Sequence, residues 1–340
     1  MPAEAYAQAG VRLDVARDIR RRIADAVRST YGPEVIAGIG AFAGLYRAEA
    51  LRGMEEPVLV ASTDGVGTKL KVAARLNRWE TVGYDLVHHC VNDILVHGAR
   101  PLFFLDYIAA ARLDPEVIVR VVESVAAACR EVGCALLGGE TAELPGVYAP
   151  GELDLVGTIV GVVERPRIRD GSRIRPGDRL LALPSSGLHT NGYSLARRVL
   201  ADQNWERPLP ELGTSIGEAL LAPHRCYLEP IRRLEAAGID LKGLCHITGG
   251  GVYENLPRVL PPGTAAVLRR GTWPEPPIFG LIQRLGGISD EEMFHVFNMG
   301  LGMLLVVPPC DVELAQAVLP GEIWLVGEIV EGDQAVRVEG

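Results

Sequence analysis

The run Ser62-Thr63-Asp64-Gly65-Val66-Gly67-Thr68-Lys69 directly follows the β-type stretch Pro57-Val58-Leu59-Val60-Ala61. A strand therefore delivers a carboxylate, two glycines and an ammonium to one turn, which is the chemistry of phosphate and metal handling. Glycine lets backbone N–H groups come close to a ligand, Asp64 suits Mg²⁺ as a hard oxygen donor, and Lys69 suits a phosphate oxygen. The turn is not a Walker A loop, because Lys69 follows Thr68 and precedes Leu70 where that motif needs G-x-x-x-x-G-K-[ST]. An ordinary glycine-rich turn is the alternative.

Further along, Tyr84 to His97 reads Y-D-L-V-H-H-C-V-N-D-I-L-V-H, and a helix would put His89, Asp93 and His97 on one face at a spacing of four. Two imidazoles and one carboxylate leave a zinc set one ligand short, so packing and hydrogen bonding are preferred for His88, His89 and His97. Asp93, with Asp64 and Asp85, instead makes an oxygen set suited to Mg²⁺ on phosphates. The buried-strand run Cys134-Ala135-Leu136-Leu137 is expected to stop at Gly138-Gly139-Glu140-Thr141-Ala142-Glu143, presenting carboxylates and a hydroxyl to a ligand in preference to bulk solvent.

In the second half, Ser185-Ser186-Gly187-Leu188-His189-Thr190-Asn191-Gly192 precedes the helical Tyr193-Ser194-Leu195-Ala196, an arrangement suited to an anion. A hydrolase with Ser186 as nucleophile and His189 as base is rejected, since no G-x-S-x-G elbow surrounds the serine. His246-Ile247-Thr248-Gly249-Gly250-Gly251, followed by Glu254 and Asn255 at a helix start, reads equally as a phosphate cradle or a tight turn. Gly38-Ile39-Gly40-Ala41-Phe42-Ala43 formally matches a dinucleotide fingerprint but lacks the strand before and the helix after it.

The elements that must carry these turns are legible in part. Val15, Ile19, Ile23 and Val27 mark one face of a helix over Asp14 to Val27, whose arginines would be solvated. Asp114-Pro115 reads as an N-cap with proline at the first helical position, and Val117, Val121, Val125 and Cys129 continue that helix up to Gly133. The Pro- and Gly-punctuated connector Arg165 to Gly171 sets a boundary between domains 1–168 and 169–340. Strands and helices then recur without regular βαβ alternation, which favours α+β.

With 340 residues, roughly two domains with their own cores are expected. The six cysteines contain no C-x-x-C pair and read as reduced core thiols. A net charge of −9 and a pI near 5.4 argue against a nucleic-acid footprint. No apolar run approaches the ~20 residues of a membrane span, and Met1-Pro2-Ala3-Glu4 starts no signal pattern, so a cytoplasmic chain is expected.

Taken together, V-N-D-I-L-V-H-G-A-R-P-L-F-F-L-D-Y (Val91 to Tyr107), G-G-E-T-A-E-L-P-G, S-S-G-L-H-T-N-G-Y-S-L, H-I-T-G-G-G and F-N-M-G-L-G-M (Phe297 to Met303) resemble the phosphoribosylformylglycinamidine cyclo-ligase (aminoimidazole ribonucleotide synthetase) family, from Tyr6 almost to the end. The resemblance implies two α+β domains. The N-terminal one would bind ATP and form a β-barrel-like homodimer interface, and the C-terminal one, of α/β-sandwich type, would bind substrate phosphate. It implies the Mg²⁺-requiring conversion of formylglycinamidine ribonucleotide and ATP to aminoimidazole ribonucleotide, ADP and phosphate.

On that reading Asp64, Asp93 and Asp85 hold the metal, and Lys69, His189 and His246 are catalytic. Gly65, Gly67, Thr68, Lys69, Gly138, Gly139, Glu140, Thr141, Ser186, Gly187, Asn191, Gly249, Gly250 and Gly251 contact the nucleotide or substrate phosphate. Many relatives carry Asp where Arg12 stands, Lys where Ala24 stands, and a more glycine-rich loop than Ile36 to Gly44. An N-terminal lysine contact is therefore not carried over. Superfamily relatives that make selenophosphate, phosphorylate thiamine monophosphate or dehydrate a carbamoyl group are the catalytic rivals, and a non-catalytic nucleotide-binding protein is the other class. A first cysteine as late as Cys90 weighs against selenophosphate synthesis.

Overall fold

The computed structural model describes residue 8 and residues 12–340. The chain divides into two compact units, one running up to Ile94 and including Ala99–Pro166, the other comprising Leu95–Gly98 and Arg167–Gly340.

The first unit begins with α1 (Leu13–Arg28), which buries Ile19, Ile23 and Val27, the stripe seen in the sequence. Burying such side chains stabilises by roughly 1.5–3 kcal/mol each. Strand β1 (Pro57–Gly65), α2 (Leu70–Leu76), α3 (Val82–Leu95), β2 (Arg100–Ala110), α4 (Pro115–Glu131), β3 (Ala135–Glu143) and β4 (Leu153–Glu164) follow. Asp114 caps α4 by accepting from the Glu116 N–H at 3.0 Å. Arg22 of α1 fastens the two helices by donating twice to Glu116, at 2.7 and 2.9 Å.

The sheet order is β1-β4-β2-β3, with β2 and β3 parallel and the other pairs antiparallel. The sheet is open: β1 and β3 are its edges, and no closed barrel occurs among the described residues. Two sequence expectations are corrected here. Strand β3 does not stop at Gly138 but runs on to Glu143, because its parallel pairing with β2 continues to Ala110. Helix α3 stops at Leu95, so His97 falls beyond the face that carries His89 and Asp93.

The second unit is built on a six-stranded sheet of β5 (Arg179–Pro184), β6 (Gly243–His246), β7 (Thr264–Arg269), β8 (Leu301–Val307), β9 (Trp324–Glu331) and β10 (Val336–Glu339), in the order β6-β8-β5-β9-β7-β10. Only the β7–β10 pair is parallel. Every residue of β8 is buried, which explains its unbroken apolar run. Short helices α5 (Tyr193–Val199) and α6 (Gly251–Asn255) start directly after the polar turns that the sequence singled out. The mixed pairing bears out the α+β expectation. No helix among the described residues is long and apolar enough to cross a membrane.

Candidate active site

The register of the first sheet aligns Asp64 with Gly157, Gly157 with Asp106, and Asp106 with Gly139. Directly paired residues point to the same face, so two carboxylates alternate with two glycines in one row across four strands. The space that a Gly139 side chain would take is filled by Asp106, whose Oδ1 would lie 2.2 Å from an added Cβ. Desolvation pushes the half-buried Asp106 carboxyl up to about 7. No motif points to Asp106, although an acid inside the apolar strand pattern L-F-F-L-D-Y-I-A-A is itself a signal.

At the end of β1, Asp64 Oδ2 lies 2.8 Å from His89 Nε2, and Asp93 Oδ2 lies 3.7 Å from the same atom. Asp64 Oδ1 accepts the Gly65 N–H at 2.6 Å, and Asp93 Oδ2 accepts the Ser62 hydroxyl at 3.0 Å. Burial alone would raise the Asp64 carboxyl, but the hydrogen bond and charge of His89 and the Gly65 N–H hold it below its ordinary value. Burial alone would lower His89, but its bond to Asp64 and the fields of Asp93, Asp64 and Asp85 keep the imidazolium favoured. Two carboxylates converging on His89 Nε2, one of them held ionised, supply oxygen donors of the kind a hard divalent ion takes. The sequence therefore named Asp64 and Asp93 together, and the fold brings them together.

Lys69 and Asp85, expected on phosphate and metal, meet each other. Lys69 Nζ donates to Asp85 Oδ1 at 2.7 Å, and both side chains are fully buried. The first turn of α3 brings Asp85 against the turn that contains Lys69, so the two opposite charges face each other. Desolvation lowers the Lys69 ammonium despite the opposing effect of Asp85. Neither residue lines the cavity of this unit.

That cavity, of about 1030 Å³, is bounded by α1, the loop 38–44 and the turn Gly138, Gly139, Glu140 and Thr141, with Asp106 at its floor. Contrary to expectation a short strand, Val35–Ala37, does precede the loop, but a second strand, Leu45–Tyr46, and not a helix follows it, in keeping with the rejection of a dinucleotide fingerprint. Arg20, exposed as expected of the arginines of this helix, also supplies a cation to the cavity wall. Glu140 faces the cavity, whereas Glu143 does not: its carboxylate accepts from Arg12 N at 2.8 Å, Arg12 Nη2 at 2.9 Å and Leu113 N at 3.0 Å. These bonds outweigh desolvation and depress the Glu143 carboxyl. Arg12 thus anchors the start of α1.

In the second unit the rejected hydrolase reading stays rejected on geometry. The Ser186 hydroxyl donates to Pro223 O, and it is the Ser186 N–H that meets His189 Nε2, at 3.2 Å. His189 adopts φ +61°, an uncommon conformation for a side-chain-bearing residue, and is buried. Asn191 Oδ1 would lie 3.2 Å from a Cβ on Gly249, so the turns 185–192 and 246–251 meet. Asn255 ties the second turn by donating to Gly249 O at 3.0 Å and Gly251 O at 2.8 Å.

Two residues missed in the sequence complete this arrangement. Asn298 accepts from Ser185 Oγ at 2.8 Å and donates to Gly187 O at 2.9 Å, clamping the first turn. His224 stacks on His189 with centroids 4.0 Å apart, and its Nε2 lies 3.0 Å from His246 Nε2. Nothing periodic flags His224 in the sequence, since its partners come from elsewhere in the unit.

Two family models match the chain: "AIR synthase related protein, N-terminal domain" over residues 43–163 and "AIR synthase related protein, C-terminal domain" over residues 175–339. A protein of Desulfitobacterium hafniense named phosphoribosylformylglycinamidine cyclo-ligase is 48% identical, covering 95% of this chain and 96% of its own. One of the same name from Gloeobacter violaceus is 49% identical, covering 96% and 97%. The crystal structure of the hydrogenase maturation protein HypE in complex with ATP shares the fold, with a TM-score of 0.65 at 20% identity over 94% of this chain and 90% of that one. On the strength of the end-to-end likeness, the chain belongs to the phosphoribosylformylglycinamidine cyclo-ligase family.

Proposed function

We propose that this chain is an ATP-dependent ligase that converts formylglycinamidine ribonucleotide to 5-aminoimidazole ribonucleotide in purine biosynthesis, releasing ADP and phosphate. The observation that carries this is the identity of 48% over 95% of the chain to a relative of that name. An amide oxygen is a poor leaving group, so it first attacks the γ-phosphorus of ATP, and the bond from that phosphorus to ADP breaks. The amidine nitrogen then attacks the activated carbon, the C–O bond breaks, phosphate leaves, and loss of a proton completes the five-membered ring. Holding the chain curled for this step is worth about 7–11 kcal/mol through proximity.

In this reading the first unit handles ATP. The cavity under loop 38–44 takes the nucleotide, with Gly138, Gly139, Glu140 and Thr141 along one wall and Arg20 supplying positive charge. Asp64 and Asp93 hold Mg²⁺, which when bound neutralises charge on the phosphates. Gly65, Gly67 and Thr68 form the turn beside them, and the buried Lys69–Asp85 pair holds that turn in place. The second unit handles the ribonucleotide, with Ser186, Gly187, Asn191 and Gly249 to Gly251 around its phosphate. His246 takes the proton released on ring closure, and His189, whose Nε2 accepts the Ser186 N–H, orders the turn beside it.

The domains are assigned as 1–168 for nucleotide and dimerisation and 169–340 for substrate. The homodimer reading is supported by the open edge β1 and by the exposed Leu59 on it, and a cytoplasmic setting follows from the reaction. The test is incubation with ATP, Mg²⁺ and formylglycinamidine ribonucleotide, following ADP and the diazotisable aminoimidazole together. Equal yields are expected. ADP without the aminoimidazole would move the substrate to another member of the superfamily, and neither product would remove the enzymatic reading.

A further inference from the structure

We propose that His224 is a positioning residue that fixes the tautomer of His246. Its Nε2 faces His246 Nε2 at 3.0 Å. A contact between two ring nitrogens needs one N–H and one lone pair, so the two rings hold complementary tautomers with a single proton between them. His224 is itself held from two further sides. Its Nδ1 lies 3.4 Å from Thr190 Oγ1, and its face is covered by His189 at a centroid distance of 4.0 Å and an interplanar angle of 22°. His189 is oriented in turn, because its Nε2 accepts the Ser186 N–H at 3.2 Å, which leaves the proton of the neutral ring on Nδ1. All three rings are buried, so none of them turns over without breaking the set.

A metal ion is the competing use of such a cluster, since nitrogens of His189, His224 and His246 lie within 4.8 Å of one another. The stacking argues against it. An imidazole lone pair lies in the ring plane, and two rings stacked at 22° cannot both aim at one ion. The arrangement suits a proton held in place.

The inference rests on the reading of His246 as the group that takes the ring-closure proton, and its test separates the two. In full-length protein labelled with ¹⁵N-histidine, the His246 resonances, identified by their loss in His246→Gln, are expected to show one pyrrole-type and one pyridine-type nitrogen. In His224→Ala they average between tautomers. His224→Gln, whose amide offers both a donor and an acceptor, restores a single tautomer. Turnover follows: His224→Ala loses about tenfold in kcat with little change in KM, part of the about 10²–10⁴-fold that acid–base catalysis contributes, and His224→Gln recovers most of it. Averaged tautomers in the unsubstituted protein would overturn the proposal without any variant having to fold. So would a His224→Gln protein that folds but recovers neither the tautomer nor kcat. Unchanged turnover in His246→Gln would instead strike down the proton-acceptor reading, and the nitrogen spectra would still decide whether His224 sets the tautomer.

Discussion

Asp106 lies half-buried against Gly139 and holds its proton to about pH 7, where an ordinary aspartate ionises near 3.8. Between those values the folded chain binds a proton that the unfolded chain has released, so folding stability falls as pH rises through this window. Asp106→Asn removes that slope while keeping the shape. Its stability relative to the unsubstituted protein is therefore expected to climb from pH 4 to pH 7 in urea titrations, and a difference that stays flat with pH would show that the carboxyl is hydrated. Lys69 and Asp85 make a second case. Removing one member of a buried ion pair strands the other, at about 3–5 kcal/mol, whereas replacing both with apolar residues costs far less. Lys69→Met is expected to lose about that much in urea unfolding, and Lys69→Met combined with Asp85→Leu to regain most of it. Equal stabilities in all three proteins would place the ammonium in water. What could be read beforehand divides along the same line: Asp64, Asp93 and His246 announce themselves by their local setting. Asp106, His224 and Asn298 matter through partners that only folding brings near.

Helices α3 and α4 meet at Gly83, whose N–H donates to Ser124 Oγ at 2.7 Å and whose missing side chain would lie 2.1 Å from Val125 N. Backbone cannot yield as a side-chain tip can, so Gly83→Ala forces α3 away from α4. Overpacking of this kind costs about 1–3 kcal/mol. Because α3 carries Asp85, His89 and Asp93, the loss is expected to appear both as a lower melting temperature and as weaker ATP turnover, and an unaltered melt would mean that the helices do not touch there. The helices themselves were legible because their signals are local: the apolar stripe of α1, and the Asp114 cap and proline of α4. Strand β3 was not. Its glycines look like a terminator, and only the ladder to β2, made by residues about thirty positions earlier, shows that they are interior positions, Gly139 being kept bare for Asp106.

At the scale of the whole molecule, a net charge of −9 disfavours the approach of a nucleotide and a phosphorylated substrate, so affinity depends on local positive or hydrogen-bonding groups such as Arg20 and the glycine turns. Charge repulsion would also oppose self-association unless apolar surface outweighs it. The first unit has such surface. Leu59 is 61% exposed on the edge strand β1, and Pro57, Ala61 and Thr63 on the same face are exposed as well. An open edge with an apolar outward face leaves backbone donors and acceptors and hydrocarbon unsatisfied together, a combination that folded chains cover. A second copy of the same unit can cover it by a two-fold arrangement, in which each subunit presents the same patch. Sedimentation equilibrium at micromolar concentration is therefore expected to give twice the chain mass of 36.6 kDa. Leu59→Arg adds a charge to the centre of the patch, where a solvated guanidinium must be desolvated for the copies to meet, and is expected to shift the distribution to 36.6 kDa. Because Leu59 is outward-facing, the melting of the isolated subunit should change little, which separates loss of association from loss of folding. An unsubstituted protein that sediments at the single-chain mass would leave β1 uncovered and end the homodimer reading.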